Sequence, residues 1–251
     1  MMELSDSELL RYSRQILLPE VDIEGQIALK QAKVAIIGLG GLGSPVAMYL
    51  ASAGVGHLLL ADYDEVDLSN LQRQIIHQTR HVGLPKVDSA KETCLSLNEH
   101  TRISTLSQRL ETKDWVAVAK ENDIVVDCTD NFSTRHALNI ACYQTKTPLV
   151  SGAAIGFQGQ VSVFTGTKDS PCYACLYPDS HDDELATCAE SGVIAPLVGI
   201  IGSMQALEVC KLIIGRGRPL AGRLLLLDGL NMDLRTIALN KDPACSVCSS
   251  E

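Results

Sequence analysis

Residues 33–53 read KVAIIGLGGLGSPVAMYLASA, and this stretch constrains the fold more than any other in the chain. An apolar run that ends in Gly38-x-Gly40-x-x-Gly43 and passes straight into a helix-forming segment reads as strand, tight turn and helix. The first glycine permits the turn, the second lets a ligand approach the backbone, and the third lets helix and strand pack closely. Gly41 lies inside the same turn. The unpaired N–H groups that open the helix attract an anion, most simply a phosphate. The next apolar run, HLLLA at 57–61, completes a βαβ unit, and Asp62 follows it, 24 residues beyond Gly38, where an acid binds a ribose hydroxyl pair. A tight turn without ligand is the bland alternative. The glycines alone do not separate the pyrophosphate of a nicotinamide dinucleotide from the triphosphate of ATP.

The alternation continues along the chain. Ser5 and Glu8 form a capping-box pattern for a helix over 5–14, and a second amphipathic helix is expected at roughly 22–32. After the βαβ unit come a helix over 86–97 following Pro85, a strand at 102–106 and a helix over 112–121. DIVVD at 123–127 reads as the fourth strand, with a helix over 132–145 and a strand at 148–151 after it. GQVSVFTG at 159–166 has the period-2 pattern of an antiparallel addition, and further strands are expected at 223–228 and 234–239. The fold expected is α/β: a Rossmann-like, doubly wound, mostly parallel sheet with antiparallel C-terminal strands. Residues 1–251 are read as a single domain: N-terminal helices at 1–32, a nucleotide-binding core at 33–151 and a C-terminal elaboration at 152–251.

Composition narrows the partners. The 251 residues carry a formal net charge of −9, which argues against a general nucleic-acid or anionic-membrane binder and leaves phosphate chemistry to a few placed cations. The apolar segment 193–214 includes Pro196, Gln205, Glu208 and Lys211, so a core or interface helix is expected there, not a membrane span. The N-terminus lacks a signal-peptide hydrophobic region, and nine cysteines in such a chain suggest reduced thiols; the cytoplasm is the expected compartment.

Two features bear on the choice of phosphate. DLSNLQRQ at 67–74 places Ser69, Asn70, Arg73 and Gln74 beside the crevice, and Lys86 opens the next helix. A reaction at a triphosphate needs fixed cations against charge that grows in the transition state, whereas backbone N–H groups largely satisfy a two-phosphate bridge. Two solvated surface cations are the plain alternative. DCTDN at 127–131 then puts Asp127 and Asp130 at the carboxyl edge of the sheet, where a carboxylate beside a triphosphate suits Mg²⁺. A helix cap is the competing role for Asp130.

Cys172-x-x-Cys175 and Cys245-x-x-Cys248 offer four thiolates in two pairs, the spacing that grips one tetrahedral Zn²⁺ with no position left for substrate. The metal expected is therefore structural; a redox pair and unrelated buried cysteines are the alternatives. Cys94, Cys128, Cys142 and Cys210 read as core residues, and Cys188, in the acidic stretch PDSHDDELATCAESG, as an exposed thiol.

Together these motifs closely resemble the MoeB, ThiF and HesA family, bacterial relatives of the ubiquitin-activating enzymes. The resemblance runs nearly end to end through RYSRQILLPE, GLGGLGSP, ASAGVG, LSNLQRQ, VGLPK, DCTDN, LVSGAAIGFQGQVSVF, CYACL, PLVGIIGSMQALEVCKL and the closing C-x-x-C. It implies that ATP adenylylates the C-terminal Gly-Gly carboxylate of a small ubiquitin-fold sulfur-carrier protein and releases pyrophosphate. It also implies roles: Asp62 on the ribose, Ser69, Asn70, Leu71, Gln72 and Arg73 with Lys86 on the phosphates, Asp130 on Mg²⁺ and Asn131 near the adenosine. Arg14 matches an arginine that reaches into the partner subunit's site, so a homodimer is implied. VGLPKVDSAKE and ATCAESGVIAPLVGIIGSMQALE look more like the molybdopterin branch than the thiamine branch, which stays the alternative together with an NAD-dependent oxidoreductase. In thiamine-type members the cysteine at the position of Cys188 joins sulfur transfer. A separate protein is expected as sulfur donor.

Overall fold

The structure, a computed structural model, describes residues 3–178 and 192–249. Its elements are helices α1 (Asp6–Arg11), α2 (Ser13–Ile16) and α3 (Asp22–Gln31), strand β1 (Lys33–Ile37), helix α4 (Gly43–Ala53), strand β2 (His57–Ala61), helix α5 (Lys86–Leu97), strand β3 (Arg102–Leu106) and helix α6 (Thr112–Glu121). They continue with β4 (Ile124–Asp127), α7 (Phe132–Thr145), β5 (Leu149–Ile155), β6 (Gln158–Phe164), α8 (Tyr173–Leu176), α9 (Ala195–Ile214), β7 (Arg223–Asp228) and β8 (Asp233–Ala238). One eight-stranded sheet runs β3-β2-β1-β4-β5-β6-β7-β8. The strands from β3 to β5 are parallel, and β6, β7 and β8 are added antiparallel.

The sequence dictates the middle of this sheet. KVAII and IVVD have no alternation because β1 and β4 are covered on both faces, and all but Lys33 are buried. One face packs against α4, α5 and α9 through residues such as Ile36, Leu50, Leu60, Val126 and Ile201. The other packs against α6 and α7 through Ala35, Val125, Trp115 and Leu138. Truncating a side chain such as Leu50, which is fully buried, is expected to cost about 2–5 kcal/mol. The helix Ala195–Ile214 is long and apolar enough by composition to cross a membrane. In the fold it lies across α4, β5 and β6 with Leu197, Val198, Ile201, Gly202, Gln205, Ala206, Glu208 and Val209 buried.

Two segments differ from the sequence reading. The helix expected over 5–14 has its Ser5–Glu8 capping box, but it breaks at Tyr12 and restarts as α2. The buried Tyr12 ring packs at Gly54, and its hydroxyl accepts from Asn98 Nδ2 at 2.8 Å, so tertiary anchoring overrides local helix continuity. The strand expected at 148–151 extends to Ile155, because β6 pairs with its whole length.

Candidate nucleotide site and cysteine cluster

In a doubly wound sheet the ligand crevice opens at the carboxyl edge where the strand order reverses. Here β1 leads outward to β2 on one side and β4 leads to β5 on the other, so the crevice lies over β1 and β4. An open cleft of about 1130 Å³, mouth included, occupies that place. Gly38, Gly40, Gly41, Asp62, Arg73, Lys86, Asp130 and Asn131 all line it.

The glycine turn has its form for steric reasons. Gly38 sits at φ +89°, and a Cβ there would lie 2.8 Å from the Cys128 carbonyl oxygen. A Cβ on Gly43 would run into the Gly38 carbonyl, so Gly43 serves the packing of α4 against the turn and does not line the cleft. Among the described residues, no group accepts from the Gly40 or Gly41 N–H.

Asp62 fixes the turn while standing at the cleft: its Oδ2 accepts from Leu39 N–H at 2.7 Å and its Oδ1 from Asp64 N–H at 2.9 Å. Burial raises its carboxyl above the ordinary value, opposed by the Lys86 charge and by these two N–H groups. Lys86 is buried, and its Nζ pairs with Asp64 Oδ2 at 2.8 Å. Arg73 is half-buried and donates from Nη1 to the Ser69 carbonyl at 3.3 Å. Ser69 and Asn70 belong to the 3-10 turn Leu68–Asn70, ahead of Leu71 and Gln72; none of these four lines the cleft. Arg14, on α2, is exposed, lies outside its own chain's cleft and makes no hydrogen bond or ion pair with any described residue.

The two aspartates of DCTDN part company. Asp127 is fully buried and saturated: Oδ1 accepts from the Thr129 N–H and hydroxyl, Oδ2 from the Ser151 hydroxyl at 2.8 Å, and Arg135 Nη1 stands 3.9 Å away. Gln205 on α9 donates to the Asp127 carbonyl at 2.8 Å and to the Val150 carbonyl at 3.4 Å, bridging β4 and β5 at the end of their pairing. This carboxylate shapes the loop. Asp130 is exposed, lines the cleft and makes no hydrogen bond or ion pair with any described residue. The cap of α7 is Asn131, whose Oδ1 accepts from Thr134 N–H at 2.9 Å, which leaves Asp130 free for a cation.

Sequence reasoning missed Arg109 and Arg135. Arg109 lines the cleft 5.7 Å from the centre of the Tyr63 ring, and Arg135 donates to the Gly152 carbonyl at 3.0 Å from beneath the Asp130 loop. A signal was present for Arg109, which follows the carboxyl end of β3, whereas Arg135 lies within α7 and had none.

Cys172, Cys175, Cys245 and Cys248 converge, with all four sulfurs within 4.8 Å of one another. The separations are 3.9 Å for Cys172–Cys175, 3.6 Å for Cys172–Cys245 and 3.3 Å for Cys175–Cys248. Four sulfurs bound to one zinc at about 2.3 Å lie about 3.8 Å apart, so the set fits that ion. Asn139 Nδ2 and Asp242 N–H stand 3.6 and 3.4 Å from Cys172 and Cys175, an outer shell suited to thiolates. The cluster ties the segment after β6 to the tail after β8. Cys94, Cys128 and Cys142 are buried and Cys210 is half-buried; Cys188 lies outside the described residues.

Comparison with known proteins agrees with this geometry. The chain is 48% identical to the molybdopterin-synthase adenylyltransferase of Escherichia coli over 99% of both chains. It is 46% identical to an adenylyltransferase and sulfurtransferase of Culex quinquefasciatus, over 98% of this chain and 57% of that one. Among solved structures, Escherichia coli MccB with ATP superposes with a TM-score of 0.83 at 25% identity, over 95% of this chain and 74% of that one. PaaA superposes at 0.82 with 26% identity, over 96% and 76%. The ThiF family model matches residues 12–247, and the chain belongs to the ThiF family.

Proposed function

We propose that this chain is an adenylyltransferase that uses ATP to activate the C-terminal Gly-Gly carboxylate of a small ubiquitin-fold sulfur carrier in molybdopterin biosynthesis. The observation that carries the reading is the cleft over β1 and β4. It gathers a phosphate-ready turn, a ribose-side acid, the cations Arg73 and Lys86, and a carboxylate, Asp130, with no partner among the described residues, in a chain 48% identical along its length to a molybdopterin-synthase adenylyltransferase.

The reaction needs no general base, because a terminal carboxylate is already ionised at neutral pH. Its oxygen attacks the α-phosphorus, the bond from that phosphorus to the bridging oxygen breaks, and pyrophosphate leaves with the electron pair. The product is a mixed anhydride of the terminal glycine with AMP. The protein's part is alignment and neutralisation. Gly40 and Gly41 N–H receive phosphate oxygens, Asp62 holds the ribose, Asn131 lies near the adenosine, and Arg73 and Lys86 face the charge that grows as pyrophosphate departs. Ser69, Asn70, Leu71 and Gln72 stand outside the cleft and precede Arg73, whose Nη1 donates to the Ser69 carbonyl, so their part on the phosphate side is to support Arg73. Mg²⁺ held by Asp130 would screen the triphosphate. Zn²⁺ held by Cys172, Cys175, Cys245 and Cys248 would be structural.

We read the chain as one domain that works in the cytoplasm as a homodimer, with a separate sulfur donor. Arg14 supports the dimer: it is an exposed cation that has no partner among the described residues and lies outside its own cleft. Exposed Leu17, Leu18 and Leu207 offer apolar area for a partner copy. Subunit mixing tests this. Arg14→Ala and Asp130→Ala are each expected to be inactive in carrier-dependent exchange of labelled pyrophosphate into ATP. A heterodimer of the two has one doubly damaged site and one intact site, so equal mixing should recover about a quarter of wild-type activity per site. No recovery from subunits shown to exchange would reject the composite site.

A further inference from the structure

The phosphate turn is held from behind by a side chain that has no role in the chemistry above. We infer that His77 is a positioning residue: its ring grips the Leu39 carbonyl and thereby presents the Gly40 N–H to the cleft, while Ser89 fixes the ring's tautomer. The inference rests on the reading of the cleft as an ATP site.

His77 is buried. Its Nε2 lies 3.0 Å from the Leu39 carbonyl oxygen, and its Nδ1 lies 2.8 Å from Ser89 Oγ. Ser89 Oγ in turn lies 2.7 Å from His81 Nδ1. A carbonyl oxygen only accepts, so Nε2 must carry the hydrogen. A neutral ring then has a bare Nδ1, which takes the one hydroxyl hydrogen of Ser89, and His81 Nδ1–H donates to the serine oxygen. The reverse chain, with Ser89 donating to His81, would favour the Gln78 N–H contact to His81 Nδ1 at 3.3 Å. It would also let His81 Nε2–H face Glu92 Oε2 at 3.4 Å, but it puts a bare His77 Nε2 against the Leu39 carbonyl or demands a charged ring in a buried place, and either costs more than these two long contacts.

The consequence for the cleft follows from peptide geometry. The Leu39–Gly40 peptide is trans, so its C=O and N–H point in opposite directions. Holding the carbonyl at the back aims the N–H forward, and Gly40 is a cleft residue whose N–H has no acceptor among the described residues. Asp62 already holds the Leu39 N–H, so both polar groups of Leu39 are fixed by side chains. A carbonyl turned the other way would set its negative end against phosphate oxygens. Ser89 lies one turn beyond Lys86 on α5, and His77 closes the segment that carries Arg73. One pair of side chains thus registers the turn and both cations.

The test compares equilibrium affinities of the full-length, zinc-bound protein for ATP–Mg²⁺ and for adenosine, in buffer free of chelator. His77→Leu is expected to weaken ATP about tenfold and adenosine less than about twofold, because only phosphate contacts use the turn. His77→Gln keeps a donor at similar reach and should recover most of the loss. Ser89→Ala should weaken ATP about threefold. Equal weakening of ATP and adenosine would assign His77 a merely structural role and overturn the inference, as would unchanged affinity. Should His77→Leu not fold, Ser89→Ala and the ring ¹⁵N shifts of the wild type at neutral pH decide. A protonated Nε2 with a bare Nδ1 supports the clamp, and the opposite tautomer rejects it. Wild-type protein that binds no ATP would sink the ATP reading itself, whereas normal ATP binding with an indifferent His77→Leu sinks the clamp alone.

Discussion

The cysteine cluster and the nucleotide cleft satisfy their polar groups in opposite ways. In the cluster, two distant segments bring four sulfurs into one shell, and neighbouring N–H groups point at them. Nothing there is left for a substrate to do. In the cleft, among the described residues, Asp130 has no partner, Arg73 has one long side-chain bond, and two turn N–H groups have no acceptor. Asp127, three residues before Asp130, is by contrast sealed in and saturated. A closed shell marks a structural site, and unspent polar capacity at an open sheet edge marks the place where a ligand completes the molecule.

The largest effect that could break this contrast is on stability. Purified protein should carry about one zinc per chain, and Cys175→Ser should lose the metal together with several kcal/mol of stability, a fall of about 10 °C or more in Tm. Metal analysis with calorimetry checks this, and metal-free protein of unchanged Tm would contradict it. Next in size is the cleft. Arg73→Ala and Lys86→Ala should each slow carrier-dependent pyrophosphate exchange about 10²-fold while leaving Tm within a few degrees. Should either variant lose stability and keep its rate, the open and closed sites would have exchanged roles.

The smallest effect is acid stability. Burial lowers the His77 ring from an ordinary 6.5 to about 4; the Leu39 carbonyl opposes this shift, and the Lys86 and His81 charges add to it. The unfolded chain therefore binds a proton that the native state refuses between these values. Stability should fall as pH drops through 6.5, by about 1 kcal/mol per pH unit, and this contribution should level off below about 4. His77→Gln does not titrate and should flatten that part of the profile, as denaturant melts at several pH values would record. An unchanged slope would show that the ring is not held neutral.

Much of this was legible in the sequence, for physical reasons. Continuous apolar runs mark strands even where burial is partial, so β2 and β7 have the bounds read from the residues alone, and β1, buried on both faces, ends at the glycine turn as expected. Gly38, Asp62, Lys86 and Asp130 could be placed because each stands next to the end of a strand or the start of a helix. The four cysteines were readable because paired ligand spacing is local even when the pairs are distant. What stayed hidden depends on contacts remote in sequence. Tyr12 breaks its helix only because Asn98 and Gly54 receive it. Whether Asp127 or Asp130 faces the cleft is decided by Ser151, Arg135 and Gln205. The environment of His77 needs Leu39 and Ser89 together.

The central claim is that the cleft transfers AMP to a carrier's terminal carboxylate. The most direct measurement is the intact mass of a Gly-Gly-ending ubiquitin-fold carrier after incubation with this protein and ATP–Mg²⁺, quenched quickly in acid. The account predicts a gain of one AMP on the terminal glycine, dependent on ATP and abolished in Asp130→Ala. An unmodified carrier with ATP unconsumed, or AMP found on any other residue, would contradict it.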